Sequence, residues 1–594
     1  MLRNIVLIVF MSVRVLVGAQ ASWFVSQQNG SDSNDGLSVD KAFQTFKQAL
    51  SSVSPGDTIF IVGEYHNNSY NPSYTYTTPD DAHLWSAENT IKIKDLHGKE
   101  DAYITIKSYD ENTVLKGDGT NIVRVVNSSY LRFENLHIYG EVENIPLETA
   151  KALQFVYIVD DSNLVGTVTD PDPADIRYRN EEDSDGDHIV EETDTFPDIS
   201  TLLVRRPSYV NTRGVYMSAV IDHVDIVNCY IHHMPGVGIL VSGGKYINIK
   251  GNNLHNNSRR SYAGTHALVV TNALPIPTDD YSIRIENNLV HHNFNEQYSW
   301  TPSKTIITPK IDEGKGISLQ KNNLSDWIVG KGRILVQNNI TYWNGYSGIH
   351  SNEGYRIDFI NNTAFMNSYT NTVTYANSTQ SGNNIGISSQ EGHDIKMINN
   401  ISVVDASWGG FALSSSTSDN IIVKSNLIYG VNGNLRIDTD IVAVEEKTLI
   451  ADPLFIDAPT DYQNINYPFD FSLQVNSKAI NFADPAYAPS GDFFGNSRDN
   501  EPDAGAIEYK GQTTNIINPE KNKIKIYPNP CFDKIIINTH LQAQNISIYN
   551  QAGQNFNNYI TIKSSLYTEI NVKKLPKGMY ILKIKNFSRL IYKQ

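Results

Sequence analysis

Cysteine is nearly absent from this chain of 594 residues, which holds only Cys229 and Cys531. Two thiols cannot build a disulfide framework. They fall in segments assigned below to different domains, so both are expected to be free. Basic charge is scarce relative to acidic charge: 48 Lys and Arg face 64 Asp and Glu, a formal net charge of -16. A phosphate backbone needs a basic face, so nucleic acid is excluded as a partner. An acidic polysaccharide is not excluded, because a local basic groove or a bound calcium ion can receive it. Apolar runs of the roughly 18–20 residues that a membrane span requires are lacking too, and no transmembrane span is expected. What is present is a 40 % share of hydrophobic residues in a long chain. That is enough for a large core and more than one domain.

The start of the chain has the pattern of an export signal. Arg3 supplies positive charge, an apolar stretch begins over residues 5–10, and Val17, Gly18 and Ala19 form a small-residue cleavage site. Arg14 interrupts the apolar run. Residues 1–19 are predicted to be removed as a signal peptide.

Internal repeats decide the architecture. Segments starting at Gly238, Gly348, Gly386 and Gly410 align as strand, tight polar turn, second strand and Asn-rich corner, and Gly316 begins a further rung. Period-2 alternation is clear at residues 357–360 and 395–398. The turns carry Gly243, Gly244, Gly354 and Gly392, where positive φ is expected. Asn pairs recur at one corner: 252–253, 287–288, 338–339, 361–362 and 399–400. Stacked coils would bring these amides into a hydrogen-bonded ladder. One coil cannot bury its own apolar face, so the stack must be continuous and capped. The fold predicted for residues 22–510 is therefore all-β, a right-handed parallel β-helix. Phe43, Phe46, Ala49, Leu50 and Val53 stand at helical spacing and predict an N-terminal helix covering the first coil.

The opening over residues 23–65 resembles that of family-9 pectate lyases, chondroitinase-B-like lyases and some β-helix glycosidases. The segments 452–455, 473–481 and 503–509 are similar to their closing region. The resemblance implies a secreted enzyme that degrades a polysaccharide. After a polar linker at 511–522, residues 523–594 contain IKIYPNP from Ile524 and KGMYILKIKN from Lys577. This domain resembles the type-A C-terminal sorting domain of the Bacteroidetes type IX secretion system. That implies a small β-sandwich, handling by the type IX machinery, and release or attachment at the cell surface. The chain is expected to be a monomer.

An acidic insertion spans residues 160–209. Within it Asp183, Asp185 and Asp187 alternate around Gly186, with Glu192 following. Oxygen ligands alternating around a glycine suit a hard cation, so Ca2+ is the expected cofactor, held by these four side chains. The stretch is similar to thrombospondin-type-3 and dockerin loops. A solvated acidic loop is the plainer alternative.

The chemistry is expected where loops interrupt the middle coils. The run from Asp312 to Ile317, with Glu313 and Lys315, sets two carboxylates and an ammonium group beside a strand start. His350 follows on the next coil. Asp312, Glu313, Lys315 and His350 are the candidate catalytic residues; Arg213, His266, Tyr298, Trp300 and Glu353 are candidate substrate contacts. Trp327, Tyr342, Trp343 and Tyr346 are further aromatics against which a sugar ring could pack. In β-elimination a uronate carboxylate is neutralised and a base takes the C5 proton. Lys315 is the candidate base, assisted by Arg213 or His350. In hydrolysis two carboxylates flank the bond, and Glu313 would act with Asp312, Glu353 or Asp326. A carbohydrate-binding or adhesin β-helix is the third reading.

Overall fold

The computed structural model describes residues 20–67, 89–148, 150, 156–160, 163–167, 203–204, 208–261, 265–296, 313–324, 326–368, 385–436, 438–442 and 445–510, and in the C-terminal region 526–527, 533–537, 546–550, 554–564, 568–584 and 587–593. The chain forms two compact units, one of residues 1–465 and 471–509, the other of residues 466–470 and 510–594.

The first unit is a right-handed parallel β-helix built from three ladders. Strand Ile349–Ile360 shows the plan of a coil. Its residues 349–352 join the first ladder and residues 357–360 the second, and the short strand Thr363–Phe365 joins the third. Period-2 alternation sends every other side chain inward. Val215, Ile239, Leu268, Ile317, Ile349 and Ile387 then stand in register down the first ladder, all essentially buried. Val224, Ile247, Ile283, Ile334, Ile357 and Ile395 do the same in the second. β-branched side chains suit such a column because each packs on its like one strand away. Burying one is worth about 1.5–3 kcal/mol.

The glycine that opens each rung is there for space. A Cβ on Gly316 would lie 2.6 Å from the Gly348 carbonyl oxygen, and one on Gly348 would lie 2.5 Å from Asn367 Nδ2. The turn glycines divide. Gly243 and Gly244 have φ of 76° and 109°, as expected. At the equivalent turns further on, the left-handed residue is instead Glu353 or Glu391, at φ 55° and 51°. Gly354 and Gly392 are required because a Cβ would fall 2.3 Å and 2.2 Å from Ser351 and Ser389 Oγ. The rung expected to start at Gly410 is also displaced by two residues. Ile385 pairs with Phe411 and Ile387 with Leu413, so Ala412 occupies the small-residue corner. Between residues 258 and 281, Leu268–Thr271 is a first-ladder strand.

Four of the five Asn pairs split their work; at 252–253 the corner is Gly251, at φ 68°, and Asn252 takes the inward place. In the others one residue turns the corner in the left-handed region: Asn287, Asn338, Asn361 and Asn399 have φ of 51–60°. Its neighbour points inward. Asn252, Asn288, Asn339, Asn362, Asn400 and Asn426 form a buried chain in which each Nδ2 donates to the next Oδ1 at 2.9–3.1 Å. A second chain, Asn257, Asn293, Asn344 and Asn367, runs along the corner after the third ladder. The outward amides of the first corner hold the closing segment. Asn287 donates to the carbonyls of Asp492 and Phe493, Asn338 to Gly491, Asn361 to Asp503 and Gly505, and Asn399 to Asp484.

At the N-terminal end, helix Phe46–Ser52 buries Phe46 and Ala49 against the first coil. Its cap is Thr45, whose side chain accepts the Gln48 N–H. The C-terminal unit has a four-stranded sheet containing Lys534–Ile537 and Thr568–Asn571 and a three-stranded sheet of Ile546–Asn550, Gly578–Ile584 and Phe587–Lys593. Their pairings are antiparallel, and Ile535, Ile537, Ile548, Ile570, Leu582 and Ile591 make the core.

Candidate active site

Residues 313–316 enter the first ladder pressed between neighbouring coils. Gly314 has φ of 85°, and a Cβ on it would lie 2.7 Å from the backbone of Phe294 and Asn295. Its N–H donates to the Thr265 carbonyl, and its carbonyl accepts the Gly345 N–H, each at 3.0 Å. One residue on, the Lys315 carbonyl accepts the Ala267 N–H. This clamp fixes three side chains together. Lys315 Nζ stands 2.7 Å from Glu313 Oε2, and His266 Nε2 lies 3.5 Å from the same oxygen. Lys315 Nζ also sits 4.9 Å above the ring of Tyr346. Lys315 is 7 % exposed and His266 1 %, so this charge pair is largely removed from water.

His266 Nδ1 accepts the Lys315 backbone N–H at 3.3 Å, and its Nε2 lies 2.7 Å from the side-chain amide of Gln320. That amide in turn donates to Ser318 Oγ at 3.1 Å.

The next coil adds His350. Ser318, His350 and Ser388 are in register down the first ladder, facing outward. His350 Nδ1 meets Ser388 Oγ at 2.7 Å. Burial, with Lys315 and His266 nearby, holds its pKa well below the ordinary histidine range. The ring is neutral at working pH, and its Nε2 is the nitrogen left over by the bond to Ser388. The site thus offers an ammonium group, a carboxylate and two imidazoles. A cation can meet an anionic sugar here while a neutral nitrogen accepts a proton.

Glu313, Lys315, His266 and His350 are brought together, and Tyr346 joins them. Arg213 is not with them. It occupies the Lys315 position of the first ladder three coils earlier, about 14 Å away at about 4.8 Å per coil. There its guanidinium lies over Tyr216. Glu353 stands at the turn after the first-ladder part of its strand, about 10 Å of backbone beyond His350, and takes bonds from Asn323 and Asn352. Asp326 starts the short helix Asp326–Val329 between the first and second ladders. Neither joins Glu313. Asp312, Tyr298 and Trp300, and the calcium candidates Asp183, Asp185, Asp187 and Glu192, lie outside the described residues.

Three of the aromatics expected to meet sugar are buried instead. Trp327 is fully buried and donates Nε1–H to the Ala273 carbonyl at 2.7 Å, while Trp343 and Tyr342 are 1 % and 4 % exposed. The sequence reveals their type but not their depth. Ser318, Gln320 and Ser388 went unnoticed as site residues. Their only signal was the strand register, since each holds an outward position beside a named histidine.

The first unit contains a segment, residues 200–328, that matches the family model "Right handed beta helix region". Residues 525–594 match the "Secretion system C-terminal sorting domain". The chain therefore carries an export domain and is directed to the cell surface or the extracellular space. No curated protein matches the chain. Among solved structures, pectate lyase Pel9A is similar at 15 % identity and a TM-score of 0.40, covering 83 % of this chain and 97 % of that one. A rhamnogalacturonan lyase is similar at 14 % identity and a TM-score of 0.37, with the same coverage. The GH136 lacto-N-biosidase from Eubacterium ramulus is similar at 14 % identity and a TM-score of 0.34, covering 69 % and 56 %.

Proposed function

We propose that this protein is an exported polysaccharide lyase that cleaves a uronate-containing polymer by β-elimination at the Lys315 cluster. The observation that carries the reading is the pairing of a buried ammonium group with a neutral imidazole on adjacent coils. Lys315, ion-paired with Glu313 at 2.7 Å, neutralises the uronate carboxylate and so acidifies C5–H. Its ammonium group takes that task here and leaves the base's role to His350. His350, neutral by burial, takes the C5 proton. The C5–H electrons form the C4–C5 double bond, the C4–O bond breaks, and the departing oxygen is protonated by water. Tyr346 supplies an aromatic face beside the ammonium group.

Glycoside hydrolysis is the second reading, because Glu313 is a largely buried carboxylate. It requires a second carboxylate about 5 Å or about 6.5–9.5 Å away; Glu353 and Asp326 do not meet Glu313, and Asp312, the other candidate, lies outside the described residues. The test is incubation with pectic, alginate and ulvan substrates. An unsaturated, ultraviolet-absorbing product supports elimination. New reducing ends without that absorbance would establish hydrolysis instead, and binding without cleavage would leave a carbohydrate-binding protein. The calcium loop at residues 181–194 stays a proposal of structural support, checked by whether a chelator lowers the melting temperature.

A further inference from the structure

Six of the chain's 15 histidines gather on the third ladder, away from the proposed active site: His137, His232, His233, His255, His291 and His292. His232, His255 and His291 are in register on successive coils. Their rings stack at 4.8 Å and 5.1 Å between centroids. Tyr139 precedes them in the column, and Tyr342 and Phe365 follow. An aromatic column would satisfy packing with tyrosine and phenylalanine alone, as it does at its ends. Histidine in the middle adds nitrogen lone pairs.

We propose that His232, His233 and His255 form a three-imidazole site for a borderline divalent metal ion of the zinc type. One ring nitrogen from each can be chosen so that all three lie within 4.8 Å of one another. Nδ1 of His232 and Nδ1 of His233 already face each other at 2.6 Å, an approach that needs a shared proton or a cation between them. Tetrahedral zinc with Zn–N of about 2.0–2.1 Å needs nitrogens about 3.3 Å apart, which small ring rotations supply. The independent sign is His255. It is 4 % exposed, its Nε2 is engaged with the Tyr230 hydroxyl at 2.7 Å, and its Nδ1 is buried without a hydrogen-bond partner. A buried imidazole nitrogen left unmatched is costly in apolar surroundings and is the form a metal takes.

The outer groups fit the same assignment. Ligating histidines characteristically tie their second nitrogen to a carboxylate, hydroxyl or other polar group. Here His233 Nε2 lies 3.4 Å from Glu143, and His232 Nε2 lies 2.8 Å from His137 Nε2. His233 takes φ of 56°, which turns its ring back on His232, and its partly exposed side chain gives an entry path. Burial keeps all three rings in the neutral, ligating form, with His232 lowered to about 3. Three protein ligands leave a fourth position for water or an outside group.

The test uses the full chain stripped of metal and titrated with Co2+ and then Zn2+. One equivalent of Co2+ should give the visible absorption of a tetrahedral nitrogen site, and Zn2+ should displace it. Replacements can be drawn from residues the fold already uses. His255→Phe copies Phe365 further along the column, and His233→Asn copies Asn256 at the same left-handed turn. Each should weaken Zn2+ binding by more than about 100-fold, and Glu143→Gln by about 10-fold, with the metal-free melting temperature nearly unchanged. Absence of a stoichiometric Co2+ spectrum in the parent chain overturns the proposal, as does affinity unchanged in the histidine variants. Should those variants fail to fold, unchanged affinity in Glu143→Gln, an exposed position, overturns it instead.

Discussion

Two outward-facing columns run along the same solenoid, and both carry histidine. On the third ladder the column is continuous: Tyr139, His232, His255, His291 and Tyr342 lie ring on ring, with Phe365 next in register. On the first ladder it is broken, with Val269, Ser318, His350 and Ser388 following one another. A turn enters there and delivers Lys315 and Glu313 to the rim. Parallel coils convert equal sequence positions into neighbours about 4.8 Å apart. Like residues therefore stack and stabilise, and unlike residues become a mixed polar site. The difference teaches that a histidine on a solenoid must be judged by what precedes and follows it in register. Its neighbours along the chain say less.

The comparison can be broken most forcefully at the rim. Lys315→Ala and His350→Ala should each lower kcat/KM on the cleaved polymer by about 10²–10⁴-fold, with melting temperatures close to the parent's. Glu353→Gln, at the turn after the first-ladder segment, should change it less than about twofold. Equal losses in all three would show that the rim is not the site.

The next largest effect is interior. Asn339 donates to the Ile285 carbonyl and to Asn362 Oδ1 and accepts from Asn288, all while fully buried. Asn339→Ala should cost about 3 kcal/mol in denaturant unfolding, since it strands buried partners on both sides. Asn338→Ala, at the adjoining left-handed position, should cost about 1–2 kcal/mol. The reverse order would refute the assignment of inward and outward amides.

A further effect depends on pH. Burial lowers the pKa of His232 to about 3 and of His292 to about 4, and holds His255, His291 and His350 well below the usual range. In the unfolded chain these groups titrate near 6.5. Below that pH the unfolded state binds more protons than the folded one, so stability falls as pH drops from about 6.5 toward 4. Above pH 6.5 they contribute no slope. Melting curves that are flat from pH 7 to 5 would contradict the buried neutral rings. The acid limb of the kcat/KM profile should likewise lie below the ordinary histidine range if His350 is the base.

The smallest effect sharpens the stacking side. His291→Phe keeps the column, so its cost should stay below about 1.5 kcal/mol. A larger loss on thermal unfolding would mean that the His291–His292 contact at 2.9 Å matters more than the stack.

Much of this was written in residue order. The alternation at 357–360, the Asn pairs and the rung-opening glycines dictated a parallel solenoid, because each pattern is local and repeats once per coil. The cluster around Glu313, Lys315 and His350 was legible for the same reason, since corresponding strand starts become neighbours. Depth was not legible. Trp327 and Trp343 look like sugar platforms in sequence but are buried, and Glu353 looks close to His350 yet faces another turn. Nor could the pattern tell which Asn of a pair turns the corner, or that Gly354 is needed for room and not for its φ. Strand period and residue type are properties of the chain alone. Which side chains share a buried nitrogen, a charge or a contact is decided only when coils of unequal length close on one another, because only then do distance and desolvation exist.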